Sequence, residues 1–276
     1  MTMNRLRRLL FLSSLVTMPG VLAEPAFADV RALARARQAY NDGNHTAAIV
    51  AALEARTDAR VADAASIVMA RAYLERFRDG ANREDLDSAR EALQSVQPAR
   101  LAPRDRLDLA VGLAETLYLE GAYGAAAEMF APLLRATTDL GPLARERVLD
   151  WWASAVDAEA RTRPHADRAP YYRRIVEEME LELKQDTGLG VASYWLAAAS
   201  LGMGDVQRAW QAAIAGWVRA SFAADGAKAI REDLDRLVID AIIPDRVKLL
   251  SLPAREVSDA TIGLRSEWDV VKQRWK

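Results

Sequence analysis

Along most of the chain, apolar residues recur every three or four positions, the spacing of helices that bury one face. Tyr172, Ile175, Val176, Met179 and Leu183 follow this rule, while Arg173, Arg174, Glu177, Glu180 and Lys184 fall on the other side. One face packs and the charged one is solvated. Alternation of period two leaves almost nothing for strands. With Pro and Gly as punctuation, the pattern predicts helices near 30–41, 45–56, 60–77, 84–96, 104–120, 123–136, 142–161, 169–184, 189–202, 205–221, 226–243, 245–251 and 256–275. Alanine strengthens that reading. It fills 54 of 276 positions, whereas Gly (14) and Pro (10) are sparse, and Ala is the best helix former.

The helices recur as a theme. In the first segment Ala36, Ala39 and Tyr40 lead to Gly43 and then to Ala48 and Ala52. A third segment sets Ala114, Leu117 and Tyr118 before Gly121, followed by Tyr123, Ala126, Phe130 and Leu133. The fifth sets Trp195, Ala197 and Ser200 before Gly204, followed by Val206, Ala209, Ala213 and Gly216. Small residues stand where two helices must approach closely, and glycine stands where the turn needs a positive φ.

In residue type and spacing these segments resemble the tetratricopeptide repeat, over about residues 29–221. Counterpart alanines fall at Ala36, Ala70, Ala114, Ala155 and Ala197, giving intervals of 34, 44, 41 and 42 residues, of which only the first equals the family period. The second segment carries an insertion around Arg76 to Asp85. In the fourth, a Pro-rich break runs from Arg163 to Pro170. Another stack of helical hairpins is the alternative. The resemblance implies an all-α, right-handed α-solenoid of about five hairpins, with a groove along the first helices of successive hairpins. The groove-facing residues would be Arg37, Tyr40 and Asn41, then Arg71 and Glu75, Glu115 and Tyr118, Trp152 and Glu159, and Tyr194. Rings interleaved with Arg and Glu suit an extended peptide or a partner helix. Rings that wedge hairpins together are the competing reading for each of them.

Residues 222–276 break the repeat. Ile230, Leu234, Leu237, Val238, Ala241 and Ile242 make an apolar stripe that should stop at Pro244, and Ser266 three before Asp269 looks like a capping box. Trp268, Val271 and Trp275 then share one side. A helical stack must close its exposed end with an atypical cap, and these residues are expected to do so rather than to bind a partner.

The first 28 residues are an address. Arg5, Arg7 and Arg8 precede an apolar stretch from Leu9 to about Ala23, and Ala26-Phe27-Ala28 stands before Asp29. That is the pattern of a signal peptide cleaved after Ala28, and the stretch falls short of the roughly 20 residues of a bilayer span. A periplasmic or secreted location follows, with no membrane span left after cleavage. The formal charge of −2, from 37 basic and 39 acidic residues spread along the chain, gives no field to collect nucleic acid. The chain has no cysteine, hence no disulfide and no thiolate metal ligand.

Catalytic chemistry is hard to find. No H-E-x-x-H, G-x-S-x-G or P-loop pattern occurs. His45 sits at the first hairpin turn as a packing or capping residue. His165 and Asp167 supply two metal ligands at most, too few for a site. Gly188-x-Gly190 and Gly202-x-Gly204 lack the third glycine and the preceding strand of a dinucleotide fingerprint and read as inter-helix turns. No catalytic residue, metal or cofactor is assigned. The expected function is an exported interaction module for a protein or peptide of the cell envelope. The alternatives are an envelope enzyme acting on cell-wall glycan through a single Glu, for which no signature is found, and a small-ligand carrier.

Overall fold

The computed structural model describes residues 24–136, 141–222 and 227–276. Among these residues the chain is all-α, with no strand. The helices are α1 (Glu24–Asn41), α2 (His45–Ala55), α3 (Ala62–Gly80), α4 (Arg83–Gln94), α5 (Pro103–Leu119), α6 (Tyr123–Phe130), α7 (Leu133–Ala136), α8 (Pro142–Thr162), α9 (Ala169–Gln185), α10 (Gly190–Gly202), α11 (Val206–Arg219), α12 (Ala227–Leu237), α13 (Ile243–Leu249) and α14 (Ala254–Arg274). The leader expected over 1–28 lies outside the described residues as far as residue 23, and the backbone from Glu24 onward already belongs to α1. No helix among the described residues is long and apolar enough to cross a membrane.

Each helix packs on its neighbours in the chain. The helices α1, α3, α5, α8, α10 and α12 also touch one another in succession, so they form one row, with α2, α4, α6, α9 and α11 packed beside it. Alanine makes this possible. Ala36, Ala70, Ala114, Ala155 and Ala197, one on each of the first five helices of the row, are all fully buried, because only a methyl group fits where two backbones approach. The apolar interior divides into three clusters met in chain order, which share α5 and α10. Such a core is built from local contacts rather than around one centre.

Three turns repeat one geometry. At Gly43, Gly121 and Gly204 φ is 74°, 85° and 82°. In each, the glycine N–H donates three residues back and the next N–H donates five back, as from Asn44 to Ala39, Ala122 to Leu117 and Asp205 to Ser200. These are glycine-terminated helix ends that satisfy the last carbonyls. Asn44 and Asp205 then cap the following helices by accepting from the N–H groups of Ala47 and Arg208.

The extra residues around Arg76–Asp85 lengthen α3, which runs on to Gly80 and turns at Ala81 in the left-handed conformation at φ 52°. Three local expectations need correction. The helix expected over 123–136 divides into α6 and α7 at Pro132, which has no N–H to continue the ladder. Pro244 does not end the C-terminal stripe. A π turn at Val238–Ile242, closed by Ile243 N–H to Val238 O, widens the helix just ahead of the proline ring and lets α12 run into α13. Ser266 lies inside α14, which starts at Ala254 behind Pro253, so it caps nothing.

Trp268 packs within the last core cluster. It is 1% exposed, tilted against Trp210 at 5.9 Å and edge-on to Trp217 at 5.4 Å, with its Nε1–H donated to Asp235 at 2.7 Å. The Trp275 ring stays half-exposed, and that residue contributes its carbonyl, which accepts from Trp217 Nε1 and from Arg231.

Candidate functional site

Residues of α1, α3 and α5 converge at the start of the row. Their spacing on α3, with Arg71, Glu75 and Arg78 at i, i+4 and i+7, puts three charges on one face. Arg71 donates to Asp108 at 2.9 Å and lays its guanidinium over the Tyr40 ring, 4.8 Å from the centroid. The Tyr40 hydroxyl points to Glu75 Oε1 at 3.4 Å, and Glu75 also accepts from Arg78 at 2.8 Å. Arg37 reaches across to Asp105 at 2.7 Å. Between them opens a cleft of about 400 Å³ with Arg37, Tyr40, Asn41, Arg71 and Arg104 on its walls and Ala64, Ile67 and Val68 as its apolar part. Arg104 is exposed and has no ion-pair partner among the described residues.

Glu115 lies deeper, 8% exposed. Burial pushes its carboxyl above the usual carboxylate range and Glu75 adds to this, while Arg71, Arg78 and Arg147 pull the other way. Tyr40 is raised chiefly by burial too. The Nε of Arg71 is buried and unpaired. This end of the row is therefore a mesh of alternating charges that mostly satisfy one another.

Further along, the row becomes aromatic and acidic. Tyr118 of α5 meets Trp151 of α8 edge-on at 4.9 Å and Tyr123 at 5.3 Å, and Trp151 carries the Arg78 guanidinium 5.1 Å from its centroid. Asp150 accepts the Trp195 indole N–H at 2.8 Å. Asp150 is raised, first by desolvation and then by Asp233, although part of its side chain meets solvent. Tyr194 is raised by burial and then by Asp233, Asp157 and Asp150. A second cleft, of about 290 Å³, lies beside Asp157, Tyr172, Tyr194 and Trp195.

Of the ten residues singled out in the sequence, Arg37, Tyr40, Asn41 and Arg71 line the first cleft, Glu75 joins them through the Tyr40 hydroxyl, Glu115 is buried behind them, and Tyr118 and Tyr194 lie on the same row beyond it. Trp152 does not join them. It is 2% exposed and packs in the middle core cluster, because Val148, Leu149, Trp152, Ala153, Val156 and Ala160 form the buried stripe of α8. The indole beside Tyr118 is Trp151, one residue and about 100° away. Glu159 serves structure instead. Its Oε2 accepts from Gly124 N–H at 3.1 Å, supplying the cap that Ala122 lacks at the start of α6, and it pairs with Arg163. Trp151, Arg78, Asp108 and Asp150 were not singled out, although the period of α8, at 147, 150, 151, 154 and 157, would have found two of them.

His45 packs against Tyr40, with ring centroids 5.9 Å apart, while Asn44 does the capping. His165 and Asp167 occupy a single 3₁₀ turn in the Pro-rich break. Among the described residues no group of three or more His, Asp or Glu could hold a metal ion. Gly190 and Gly202 are points of close contact: a Cβ there would lie 1.9 Å from Ile230 and 2.6 Å from Tyr172, respectively. Comparison of the chain with family models, with curated proteins and with solved structures finds no match.

Proposed function

We propose that this chain is an exported interaction module, a right-handed stack of tetratricopeptide-like hairpins closed by α12–α14. It holds a protein or peptide partner of the cell envelope against the row α1–α3–α5–α8–α10. The observation that carries this reading is the polar and aromatic face along that row, open in two clefts, which contrasts with the small, fully buried alanines beneath it. Rings there offer contact area at little entropic cost, and arginines offer paired hydrogen bonds. Residues 1–28 act as the leader, so the working chain begins at Asp29 in the periplasm or outside the cell.

The test is affinity capture from envelope extract with the tagged wild type and with a variant carrying Tyr118→Ala and Arg104→Ala. Loss of a specific partner from a variant that melts like the wild type supports the reading, whereas retention of every partner refutes it. Mass spectrometry of the same preparation should give Asp29 as the first residue.

Glu115 gives a second reading its foothold, since a buried carboxyl held toward its protonated form is the acid that glycan cleavage needs. Three arginines around it oppose that role. Digestion of purified peptidoglycan that Glu115→Gln abolishes would favour the enzyme.

A further inference from the structure

The two clefts differ in what they leave unsatisfied, and the second also gathers the irregularities of the chain. The Pro-rich break brings His165 and Arg168 to its rim, and the π turn brings Leu237 and Ala241 to its floor, with Asp245 just beyond Pro244. A widened helical turn is an unusual feature found disproportionately at functional sites. Gly202 has no room for a Cβ because the Tyr172 ring lies against it, which fixes that ring in the wall.

The floor is apolar, made by Trp195, Ala198, Leu201, Leu237 and Ala241. Its cations are already engaged. Arg168 spends its donors on the carbonyls of Arg163 and Arg161, at 2.9 and 3.3 Å, closing the end of α8. Arg161 pairs with Asp157 at 2.8 Å and is otherwise largely solvated. The lining itself is balanced, Asp157 and Asp245 against Arg161 and Arg168, and Asp150 adds a carboxylate behind Trp195. Asp150 accepts from the Trp195 indole and has no cation within ion-pair distance among the described residues, although the Arg78 charge acts on it from over Trp151; Asp233 pairs only with the exposed Arg236, and Asp245 pairs with the exposed Lys248. Asp157 and Tyr194 line the cleft and Asp150 is tied to Trp195 by the 2.8 Å hydrogen bond, while Asp150, Asp157 and Asp233 all act electrostatically on Tyr194. The same face already holds a guanidinium over an indole, Arg78 on Trp151.

The geometry points to a recognition site for a basic, amphipathic peptide segment: an apolar side chain seats on the Trp195–Leu201–Ala241 floor, and an adjacent Lys or Arg lies among Asp150, Asp157 and Asp233 beside Tyr118 and Tyr194. This rests on the interaction-module reading and names its partner's chemistry. A cation there gains from carboxylates and ring faces together, whereas an acidic segment meets like charge.

The experiment titrates full-length protein by calorimetry with an acetylated, amidated peptide of alternating Leu and Lys, and with its Leu and Glu counterpart. The Leu/Lys peptide should bind, more weakly as salt is raised, and the Leu/Glu peptide should not. Asp150→Asn with Asp233→Asn keeps an oxygen to accept from Trp195 and should weaken binding about tenfold, with melting curves that match the wild type. If that variant does not fold, the salt dependence and the contrast between the peptides still decide. Equal binding of both peptides, or of wild type and folded variant, overturns the inference. Binding of the Leu/Glu peptide alone, lost in Arg104→Ala, overturns it while leaving the interaction module standing. Failure of both peptides to bind overturns both.

Discussion

Replacing Trp268 by alanine should detach the end of the molecule. An indole buried to this degree removes roughly 200 Å² from water, about 5 kcal/mol at roughly 25 cal/mol per Å². Large-to-small core changes of this kind cost about 3 to 5 kcal/mol when measured. The lost hydrogen bond to Asp235 adds about 1 kcal/mol, and no more, because Lys272 still reaches that carboxylate at 2.8 Å. Trp268→Phe should retain most of the ring contact with Trp210 and Trp217 and cost about 1 to 2 kcal/mol. Because the three core clusters follow one another along the chain, the loss should fall mainly on α12–α14. Urea unfolding followed by tryptophan fluorescence should then show an early transition in Trp268→Ala, and limited proteolysis should cut within residues 227–276 first. A single transition at the wild-type midpoint would refute the assignment of Trp268 as the bolt of this end.

Three further outcomes follow from particular contacts. Gly202→Ala must displace the buried Tyr172 ring and should destabilise by about 1 to 3 kcal/mol, whereas Gly263→Ala on α14, with open space around it, should stabilise by about 0.5 to 1 kcal/mol; chemical denaturation that gives both the same sign would contradict the packing. Glu115 holds a raised folded-state pKa, so the native chain keeps its proton longer than the unfolded one and this group's contribution to stability falls as pH rises from the ordinary glutamate value through the raised one. Glu115→Gln should remove that slope, seen as a variant-minus-wild-type difference in melting temperature that grows in the variant's favour toward neutral pH; a difference independent of pH would refute it. Trp151→Ala should weaken partner binding and, because its ring also stacks on Phe130, cost some stability, but less than the about 3 to 5 kcal/mol of Trp152→Ala; thermal melts beside binding isotherms separate the two.

Most of the fold could be read in the sequence because most of it is local. The helices follow from periodicity and alanine, and the turns at Gly43, Gly121 and Gly204 from a residue that alone takes positive φ without strain. What could not be read were choices between local conformations that the same residue types allow. Ala81 adopts a left-handed turn although glycine stands one residue earlier, and Pro244 passes through a helix because a π turn forms ahead of it. The same division holds for the site. Arg37, Tyr40 and Arg71 were found because residue type and spacing place them on first helices. Trp152 was misplaced because adjacent tryptophans differ only in phase, which the neighbouring Val148, Leu149 and Val156 settle.

The polar contacts between helices distant in the chain explain why the row is not uniform. Tyr40 to Glu75, Arg71 to Asp108 and Arg90 to Glu120 span 35, 37 and 30 residues, and all three lie in the first half of the chain. They spend the charges of that half on holding its helices in register. Farther along, the links across 37 to 43 residues run through α9, as Arg135 to Glu178 and Arg145 to Glu182 do, while the row itself is joined by the uncharged Trp195 donor on Asp150. A carboxylate held by an indole is positioned without being neutralised. The second half is thus tied to its neighbours by ion pairs through α9, while Asp150 on the row carries an indole N–H and only the more distant charge of Arg78. The proposed cationic segment would meet Asp150 without displacing an ion pair of that residue, whereas at Asp157 it would compete with Arg161.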